Sequence, residues 1–397
     1  MNLIVNIDAL NPPMTGIGYF TREVLLCLLQ DERVETITPL SSTGWRAVGD
    51  LPQLLAMEPS LPSVQSIDEP AGRAGFAKKK RLSVAKEFAR KIPFSRNVKR
   101  LVQHTIARRN CAPLTAKYWE PNYIPIPIRQ DFFPTIHDLS HRAYPQFHPR
   151  DRVRYLEKHL SAAMSRASHI FTVSRFSQQE IIREFNIPAS RISVTSPGVS
   201  DHFKPFGLLE KKRVQQRFRL DKPFILSVCT LEPRKNILRL IDAYLALPEA
   251  HRSHYDLVLI GGEGWHSNTL REKLAAMPGP SGIRLLGYLP QDDKAVLMSA
   301  ATILAYPSLY EGFGMPVLEA MASGTAVLTS KDTSMQEVCD GHAELIEPTS
   351  VESISAGIET LLDDEKLRLK LEIAGLDRAK NYRWRQSANL MVEQFLK

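Results

Sequence analysis

The sequence predicts an α/β protein built from two doubly wound, Rossmann-like domains that face each other across a cleft. First, the chain has 397 residues, which is long for a single hydrophobic core and favours two domains. Second, short apolar segments alternate with helical patterns, as in parallel sheets that helices cover on both faces. Third, this alternation begins again after a polar stretch that starts near Lys204. We therefore predict domains at residues 1–203 and 204–375.

The first series of apolar segments predicts three strands and a helix in the N-terminal domain. The strands are expected at residues 3–7, 131–136 and 169–173, and the helix at residues 18–29. Asp8, His137 and Ser174 follow the three strands. Because ligands of doubly wound sheets bind beyond the carboxyl ends of the strands, these side chains are candidates to line a site.

The second series predicts five strands in the C-terminal domain. They are expected at residues 224–228, 257–260, 283–286, 302–306 and 326–329. Gly287 and Tyr288 follow the third of these strands, and a loop that contains a glutamate follows the fourth. The same rule places both segments at the edge that faces the cleft.

Composition and cysteine usage exclude several classes of protein. No apolar run reaches the roughly 18 residues that cross a bilayer, and residues 1–8 lack the basic leader of a signal peptide. Cys27, Cys111, Cys229 and Cys339 lie far apart, so we expect reduced, buried thiols in a cytoplasmic protein. The chain has no Asp-x-Asp pair and no histidine cluster. We therefore expect no metal and no cofactor.

The most informative segment runs from residue 306 to residue 327. Glu311 lies in a glycine-containing loop, which we call the glutamate loop (residues 307–314), and Glu319 lies about one turn into the helix that follows. Pro316 is suited to the first position of that helix. The helix dipole and free backbone N–H groups can together hold an anion, and these N–H groups belong to Gly312, Phe313, Gly314 and Met315. Phosphate would repel the two carboxylates, so we expect them to bind hydroxyls on either side of it. The segment predicts a site for a sugar nucleotide.

Glu311 and Glu319, with seven residues between them, stand in the run Glu-Gly-Phe-Gly-Met-Pro-Val-Leu-Glu. This motif resembles that of the retaining GT-B glycosyltransferases of family 4. The resemblance implies that Glu311 contacts the donor sugar, that Glu319 contacts the ribose and that the glycine loop holds the diphosphate. It also implies that a final helix, about residues 376–397, packs back on the N-terminal domain. Alternatively, Glu311 is a solvated loop acid and Glu319 an ordinary acid near the start of a helix.

Gly16 and Gly18 follow the first strand and open a helix, as in a dinucleotide-binding fingerprint. Thr21 stands where the third glycine should be, so the pattern is a weak indication of NAD binding. In similar transferases this loop lies against the donor diphosphate or the acceptor, and glycine allows such close approach. Glycines that serve only the turn are the alternative.

His137, followed by Asp138, resembles the His-Asp element of the family, in which the histidine points at the reacting sugar. A neutral imidazole can hydrogen-bond a sugar hydroxyl, and the backbone carbonyl can stabilise positive charge at the anomeric carbon. The alternative is a core histidine bonded to a neighbouring carbonyl. Gly287 and Tyr288 are the expected location of backbone contacts to the nucleotide base.

Residues 231–236, Leu-Glu-Pro-Arg-Lys-Asn, follow the first strand of the second domain. Lys235 matches the family lysine that binds the diphosphate. The family arginine five residues earlier is replaced by Thr230, and Arg234 is the candidate to supply the missing cation. Such cations stabilise a departing nucleoside diphosphate in place of a protonating acid. Solvated loop charges are the alternative.

The subgroup that combines Glu-Pro-Asn-Tyr (120–123), His-Asp-Leu (137–139) and residues 231–236 looks like bacterial mannosyltransferases of O-antigen and polysaccharide synthesis. The resemblance implies retention without a covalent nucleophile. It favours GDP-mannose as donor, with GDP-rhamnose, UDP-glucose and UDP-N-acetylglucosamine as alternatives, and a glycan or lipid-linked acceptor. An epimerase of sugar nucleotides with the same fold is the competing enzyme class.

The formal charge of +8 is concentrated between Arg73 and Arg109, where thirteen basic residues accompany one acid, Glu87. Apolar residues recur there at helical spacing. A solvated helix packed on its own domain and a helix docked on an anionic membrane surface are both consistent with this pattern. Nucleic acid is not an expected partner, because the stretch has no recognised reader motif.

Overall fold

The computed structural model describes residues 1–11, 14–41, 44–45, 51, 55, 105, 111, 114–262, 264, 268–276 and 281–397. Apart from Thr105, the basic segment 73–109 lies outside these residues. Its attachment to a membrane surface therefore stays a prediction.

Two sheets of parallel strands form the centres of the molecule. Among the described residues, the first has seven strands in the order β3-β2-β1-β4-β5-β6-β7, with β3 pairing in the antiparallel sense and the others in parallel. The second has six strands in the order β10-β9-β8-β11-β12-β13. In chain order the strands are β1 Asn2–Asn6, β2 Thr36–Ser41, β3 Gly44–Trp45, β4 Lys117–Glu120, β5 Phe132–Ile136, β6 Ile170–Thr172, β7 Ile192–Val194, β8 Phe224–Val228, β9 Asp256–Ile260, β10 Ile283–Gly287, β11 Ile303–Tyr306, β12 Ala326–Ser330 and β13 Glu344–Ile346.

Helices connect the strands and pack against the sheets. In chain order they are α1 Gly16–Leu28, α2 Ser140–Ala143, α3 Arg150–Arg166, α4 Arg175–Phe185, α5 Leu208–Arg217, α6 Ile237–Ala246, α7 Glu249–His254, α8 Asn268–Ala275, α9 Gln291–Ala300, α10 Met315–Ala322, α11 Ser334–Cys339, α12 Val351–Asp363, α13 Glu365–Ala379 and α14 Trp384–Phe395. Strands β8, β9, β11 and β12 are buried along their whole length, as expected where helices cover both faces of a sheet. The predicted fold class is confirmed.

The last helical segment differs from the prediction of a single helix at about 376–397. The structure has two helices there, α13 and α14, because the chain crosses between the domains at residues 380–383. The crossing is tight, since a Cβ on Gly198 would lie 2.2 Å from the backbone nitrogen of Trp384. Helix α14 then packs on α1 and the first sheet, with the ring of Phe395 5.0 Å from that of Phe133. The domain boundary at residue 203 itself stays a prediction.

Candidate active site

The glutamate loop connects β11 to α10 at the junction of the two domains. Helix α10 begins at Met315, so Pro316 is its second residue and not its first as predicted. Gly314 precedes the helix with a left-handed φ of 97°, which favours glycine. A Cβ at this position would also lie 2.6 Å from Cγ of Met335. The glycine therefore sets the turn from loop to helix.

Glu311 is a buried carboxylate surrounded by donors. Its Oε1 accepts hydrogen bonds from Lys235 Nζ, from Ser308 Oγ at 2.8 Å and from Tyr306 Oη at 3.0 Å. Its Oε2 accepts from Arg234 Nη1 at 3.0 Å. Burial opposes ionisation, but Arg234 and Lys235 outweigh it and lower the pKa of Glu311 to about 2. Glu311 is thus a fixed anion and not a solvated loop acid.

Arg234 and Lys235 reach the same carboxylate because Pro233–Lys235 forms a short 3-10 helix. Arg234 also donates from Nη1 to the carbonyl oxygen of Tyr310 and from Nη2 to Glu232 Oε1, each at 2.6 Å. Only 11% of either cationic side chain is exposed. These cations are therefore not solvated loop charges. Arg234 holds Glu311 and the glutamate loop in place, while Lys235 donates to both Glu311 and the hydroxyl of Tyr306, the latter at 3.1 Å.

The predicted anion cradle is formed by backbone N–H groups at the start of α10. None of these N–H groups donates a hydrogen bond to a residue that the structure describes. They lie at the positive end of the α10 dipole, where anions bind favourably. They belong to Gly312, Phe313, Gly314 and Met315. Their role in holding a diphosphate stays a prediction.

His137 follows β5 and lies against the glutamate loop of the other domain. Its Nε2 lies 2.8 Å from the carbonyl oxygen of Pro121, and burial lowers the pKa of its imidazole. In the neutral ring, Nε2–H donates to Pro121 and Nδ1 is left as an acceptor. A Cβ on Gly312 would lie 2.0 Å from the carbonyl oxygen of His137. Glycine is thus required for the carbonyl and the loop to approach this closely.

Further hydrogen bonds join the glutamate loop to the N-terminal domain. Ser174 Oγ donates to the carbonyl oxygen of Gly312 at 2.6 Å. The hydroxyl of Tyr310 accepts from the backbone N–H of Leu139 at 2.9 Å and donates to Glu180. The loop that holds Glu311 is therefore positioned by both domains.

A second link between the domains caps a helix. Glu337, in α11, accepts hydrogen bonds from the backbone N–H groups of Arg175 and Phe176, each at 2.9 Å. These groups begin α4 in the other domain, and a carboxylate there also interacts favourably with the helix dipole.

Glu319 lies one turn into α10 and pairs with Lys294 of α9. The Lys294 ammonium lies 3.2 Å from Oε1 and 3.1 Å from Oε2. The crevice that contains this pair extends to Tyr19 and Phe203. Across it, the hydroxyls of Tyr19 and Tyr288 lie 3.2 Å apart, and burial raises the pKa of Tyr19. Two domains thus enclose Glu319.

The predicted glycine positions have different surroundings. A Cβ on Gly18 would lie 2.4 Å from the carbonyl oxygen of Ala9, so close packing of α1 explains that glycine. A Cβ on Gly16 would meet no atom within 4 Å, and the same holds at Gly287, where φ is 71°. Contact of Gly16 and Gly287 with a donor stays a prediction.

Sequence reasoning missed several side chains of the site. Burial opposes ionisation of Asp138, but Arg234 and hydrogen bonds, including one from Tyr123 Oη at 2.9 Å, lower its pKa to about 2. Glu232 fixes the far side of Arg234. The sequence did contain an indication that Lys294 belongs to a site, because a lysine in the first turn of a helix interacts unfavourably with the helix dipole.

Metal binding and membrane insertion have no visible basis in the described part of the chain. Within it, no group of three His, Cys, Asp or Glu side chains could hold a metal ion, and no described helix is long and apolar enough to cross a membrane. The four cysteines are free. The expected burial is wrong for Cys27, which is partly exposed.

The fold and the position of the glutamate loop define the class of GT-B glycosyltransferases. The HepE protein of Anabaena, solved with UDP and glucose, has a TM-score of 0.71 at 15% identity, over 99% of this chain and 98% of that one. WaaG, a glycosyltransferase involved in lipopolysaccharide biosynthesis, has a TM-score of 0.68 at 17% identity, over 100% and 99% of the two chains. At these identities the likeness shows the fold.

The family is shown by sequence. Residues 128–203 match the model for Glycosyltransferase Family 4, and residues 209–378 match that for glycosyl transferases group 1. O-antigen chain mannosyltransferase B of Escherichia coli is 40% identical over 262 residues, 66% of this chain and 69% of that protein. The serotype-specific mannosyltransferase WbdA of Escherichia coli is 32% identical over 274 residues, 68% of this chain but only 33% of WbdA. The chain therefore belongs to the family 4 glycosyltransferases and is a glycosyltransferase.

Proposed function

We propose that the chain transfers mannose from GDP-mannose to a growing lipid-linked or polysaccharide glycan, as in O-antigen synthesis, with retention at the anomeric carbon. The observation that carries this proposal is the ionised Glu311, held by Arg234 and Lys235 where the two domains meet. The choice of mannose follows the names of the relatives that are 40% and 32% identical.

The donor diphosphate would bind at the start of α10. Lys235 and the N–H groups of residues 312–315 offer positive charge to the phosphates. Glu311 then accepts hydrogen bonds from hydroxyls of the mannose, and Glu319 accepts them from the ribose. Because Arg234 is engaged by Glu311 and Glu232, its main role in this proposal is to orient Glu311.

The transfer step needs no covalent intermediate. The bond between the anomeric carbon and the phosphate oxygen breaks, and the acceptor oxygen forms its bond on the same face. The acceptor hydroxyl proton passes to the departing phosphate, so the products are GDP and the extended glycan. The carbonyl of His137 and the carboxylate of Glu311 stabilise positive charge at the sugar, and Lys235 with the loop N–H groups stabilises the leaving diphosphate.

We also propose that transfer is independent of metal ions and takes place at the cytoplasmic face of a membrane, where a lipid-linked acceptor is available. Buried cations beside Glu311 take the place that a divalent ion has on the diphosphate in other transferases. Attachment to an anionic surface through residues 73–109 belongs to this proposal.

A panel of nucleotide sugars tests the function. We expect GDP-mannose to raise the melting temperature most, because ligands that bind the native state stabilise it by mass action. Transfer of labelled mannose to an O-antigen-type acceptor should persist in EDTA. A larger shift with GDP-rhamnose, UDP-glucose or UDP-N-acetylglucosamine would replace the proposed donor. Conversion of the donor to a free isomer without acceptor would indicate an epimerase.

A further inference from the structure

Lys294 is a partly buried cation whose position the transfer step does not explain. Its ammonium contacts both carboxylate oxygens of Glu319 and lies 4.7 Å from the centre of the Phe203 ring. Only 19% of the lysine side chain and 10% of the glutamate side chain are exposed. The pair lines an interdomain crevice together with Tyr19 and Met315.

The place of Lys294 in its helix is electrostatically unfavourable. It lies in the first turn of α9, where the dipole favours acids, and its backbone N–H bonds to the carbonyl of Pro290 at 3.0 Å. The two acids of the same turn are engaged elsewhere. Asp292 pairs with His202, and Asp293 pairs with Arg217. A local conflict of this kind is expected where a residue serves a site.

The pair offers a carboxylate acceptor and an ammonium donor side by side. A vicinal diol has the complementary groups, because one hydroxyl can donate to the carboxylate while the oxygen of the other accepts from the ammonium. Phosphate would need only the cation, and guanine, whose edge also carries donors and acceptors, is not the group that the proposed function brings to Glu319. The cis-2′,3′-diol of the ribose is that group, and it fits both partners.

We propose that Lys294 is a donor-specificity residue that recognises the ribose diol together with Glu319. This inference rests on the proposed function, in which the ligand is a ribonucleoside diphosphate sugar whose ribose lies against Glu319. Lys294 has two effects in it: it donates to one ribose oxygen, and it holds the carboxylate of Glu319 in the orientation that accepts from the neighbouring hydroxyl.

Calorimetric binding of GDP and 2′-deoxy-GDP tests the proposal without any transfer assay. We expect wild type to prefer GDP by about 10- to 100-fold, the range typical of a hydrogen bond to a charged group. Lys294→Met should bind GDP more weakly and reduce the preference to about threefold or less. Lys294→Arg, which keeps the charge and the donors, should restore most of it.

Lys331→Met is the matched control, because Lys331 pairs with Glu347 at 3.5 Å on the surface and both side chains are more than 40% exposed. It should bind both nucleotides as wild type does. In steady-state transfer, Lys294→Met should raise the donor KM about tenfold and leave kcat within about threefold. A purely structural role would lower both binding constants equally and leave the preference intact.

The outcomes separate this inference from the proposed donor. If Lys294→Met folds and keeps the wild-type preference, or if wild type shows none, the inference is overturned. If wild type binds UDP and not GDP, the proposed donor is overturned, and the same comparison with UDP and 2′-deoxy-UDP decides the role of Lys294. Circular dichroism of each variant establishes that it is folded.

Discussion

At the scale of single residues, Glu311 keeps its negative charge inside the protein. A carboxylate that is only 7% exposed would ordinarily be protonated more readily than in water. Arg234 and Lys235 reverse that tendency, and the hydroxyls of Ser308 and Tyr306 fix the orientation of Oε1. The carboxylate is therefore both ionised and fixed in its orientation by residues of the protein itself.

Glu311→Gln is expected to reduce kcat/KM for transfer by about 100-fold or more, as when a contact that strengthens in the transition state is removed. The amide keeps the size of the side chain but removes the charge that pairs with Lys235 and with Nη1 of Arg234, while Arg234 keeps its pair with Glu232. The measurement is the initial rate of mannose transfer from GDP-mannose. Glu347→Gln, a change to an exposed carboxyl, is the control. Unimpaired transfer by Glu311→Gln would remove Glu311 from the mechanism.

At the scale of elements, the glutamate loop joins the domains through close backbone contact. Gly312 lies against the carbonyl of His137, and Ser174 bonds to the carbonyl of Gly312. The geometry of the loop thus depends on β5 and α4 of the other domain. A change in the angle between the domains would move Glu311 relative to His137.

Gly312→Ala tests this dependence. The added Cβ would overlap a backbone oxygen that cannot rotate away, so the domains or the loop must shift. Overpacking of this kind costs about 1–3 kcal/mol, and we expect a melting temperature lower by several degrees and transfer reduced by about tenfold or more. Differential scanning calorimetry and the transfer assay measure the two effects.

Gly262→Ala is the control for that variant, because a Cβ at Gly262 would meet no atom within 4 Å. It should retain the stability and the activity of wild type. If Gly312→Ala behaved in the same way, the close contact between the glutamate loop and His137 would not be needed for transfer.

The elements also show how far the sequence could lead. β8 was predicted with its correct bounds, 224–228, because a buried parallel strand is a continuous apolar run. Glycine and proline likewise marked the start of α10. In contrast, Glu337 caps a helix that begins about 160 positions earlier, and such a contact has no local pattern. The convergence of Arg234 and Lys235 depended on a turn that periodicity does not reveal.

At the scale of the whole molecule, buried carboxyl groups couple folding to pH. Glu120 lies at the end of β4 and is 1% exposed. Burial raises its pKa to about 7, although Tyr118, Asn6 and Asn122 donate hydrogen bonds to it. The sequence indicated this residue only as part of the Glu-Pro-Asn-Tyr motif at residues 120–123. Its hydrogen bonds within its own domain indicate that it shapes the local backbone.

The pKa of Glu120 predicts how stability varies with pH. Because the folded value lies above the ordinary value of 4.5, the folded state binds more protons between these limits, and stability falls as pH rises from 4.5 to 7. The contribution is about 1.4 kcal/mol for each unit of pKa difference. Burial lowers the pKa of His141 to about 4, which gives a slope of the opposite sign, so wild type alone does not isolate the effect.

The difference in pH-dependent stability between wild type and Glu120→Gln isolates the contribution of Glu120. Free energies of unfolding in urea at pH 5 and pH 7.5 should show that wild type loses more stability over this interval than the variant does. The absolute stability of Glu120→Gln is not the test, because the amide also changes the hydrogen bonds with Asn6 and Asn122. Parallel pH dependence in the two proteins would show that Glu120 titrates as an ordinary carboxyl.

The return of α14 to the first sheet has a consequence for synthesis on the ribosome. Phe395 packs on Phe133 and Phe171, and Trp384 packs on Phe20. These two late rings therefore complete the aromatic core beside the first sheet, although the ribosome adds them about 190 residues or more after β7, the last strand of that sheet. A nascent chain therefore cannot complete the first lobe before the second has emerged. We infer that the lobes mature together.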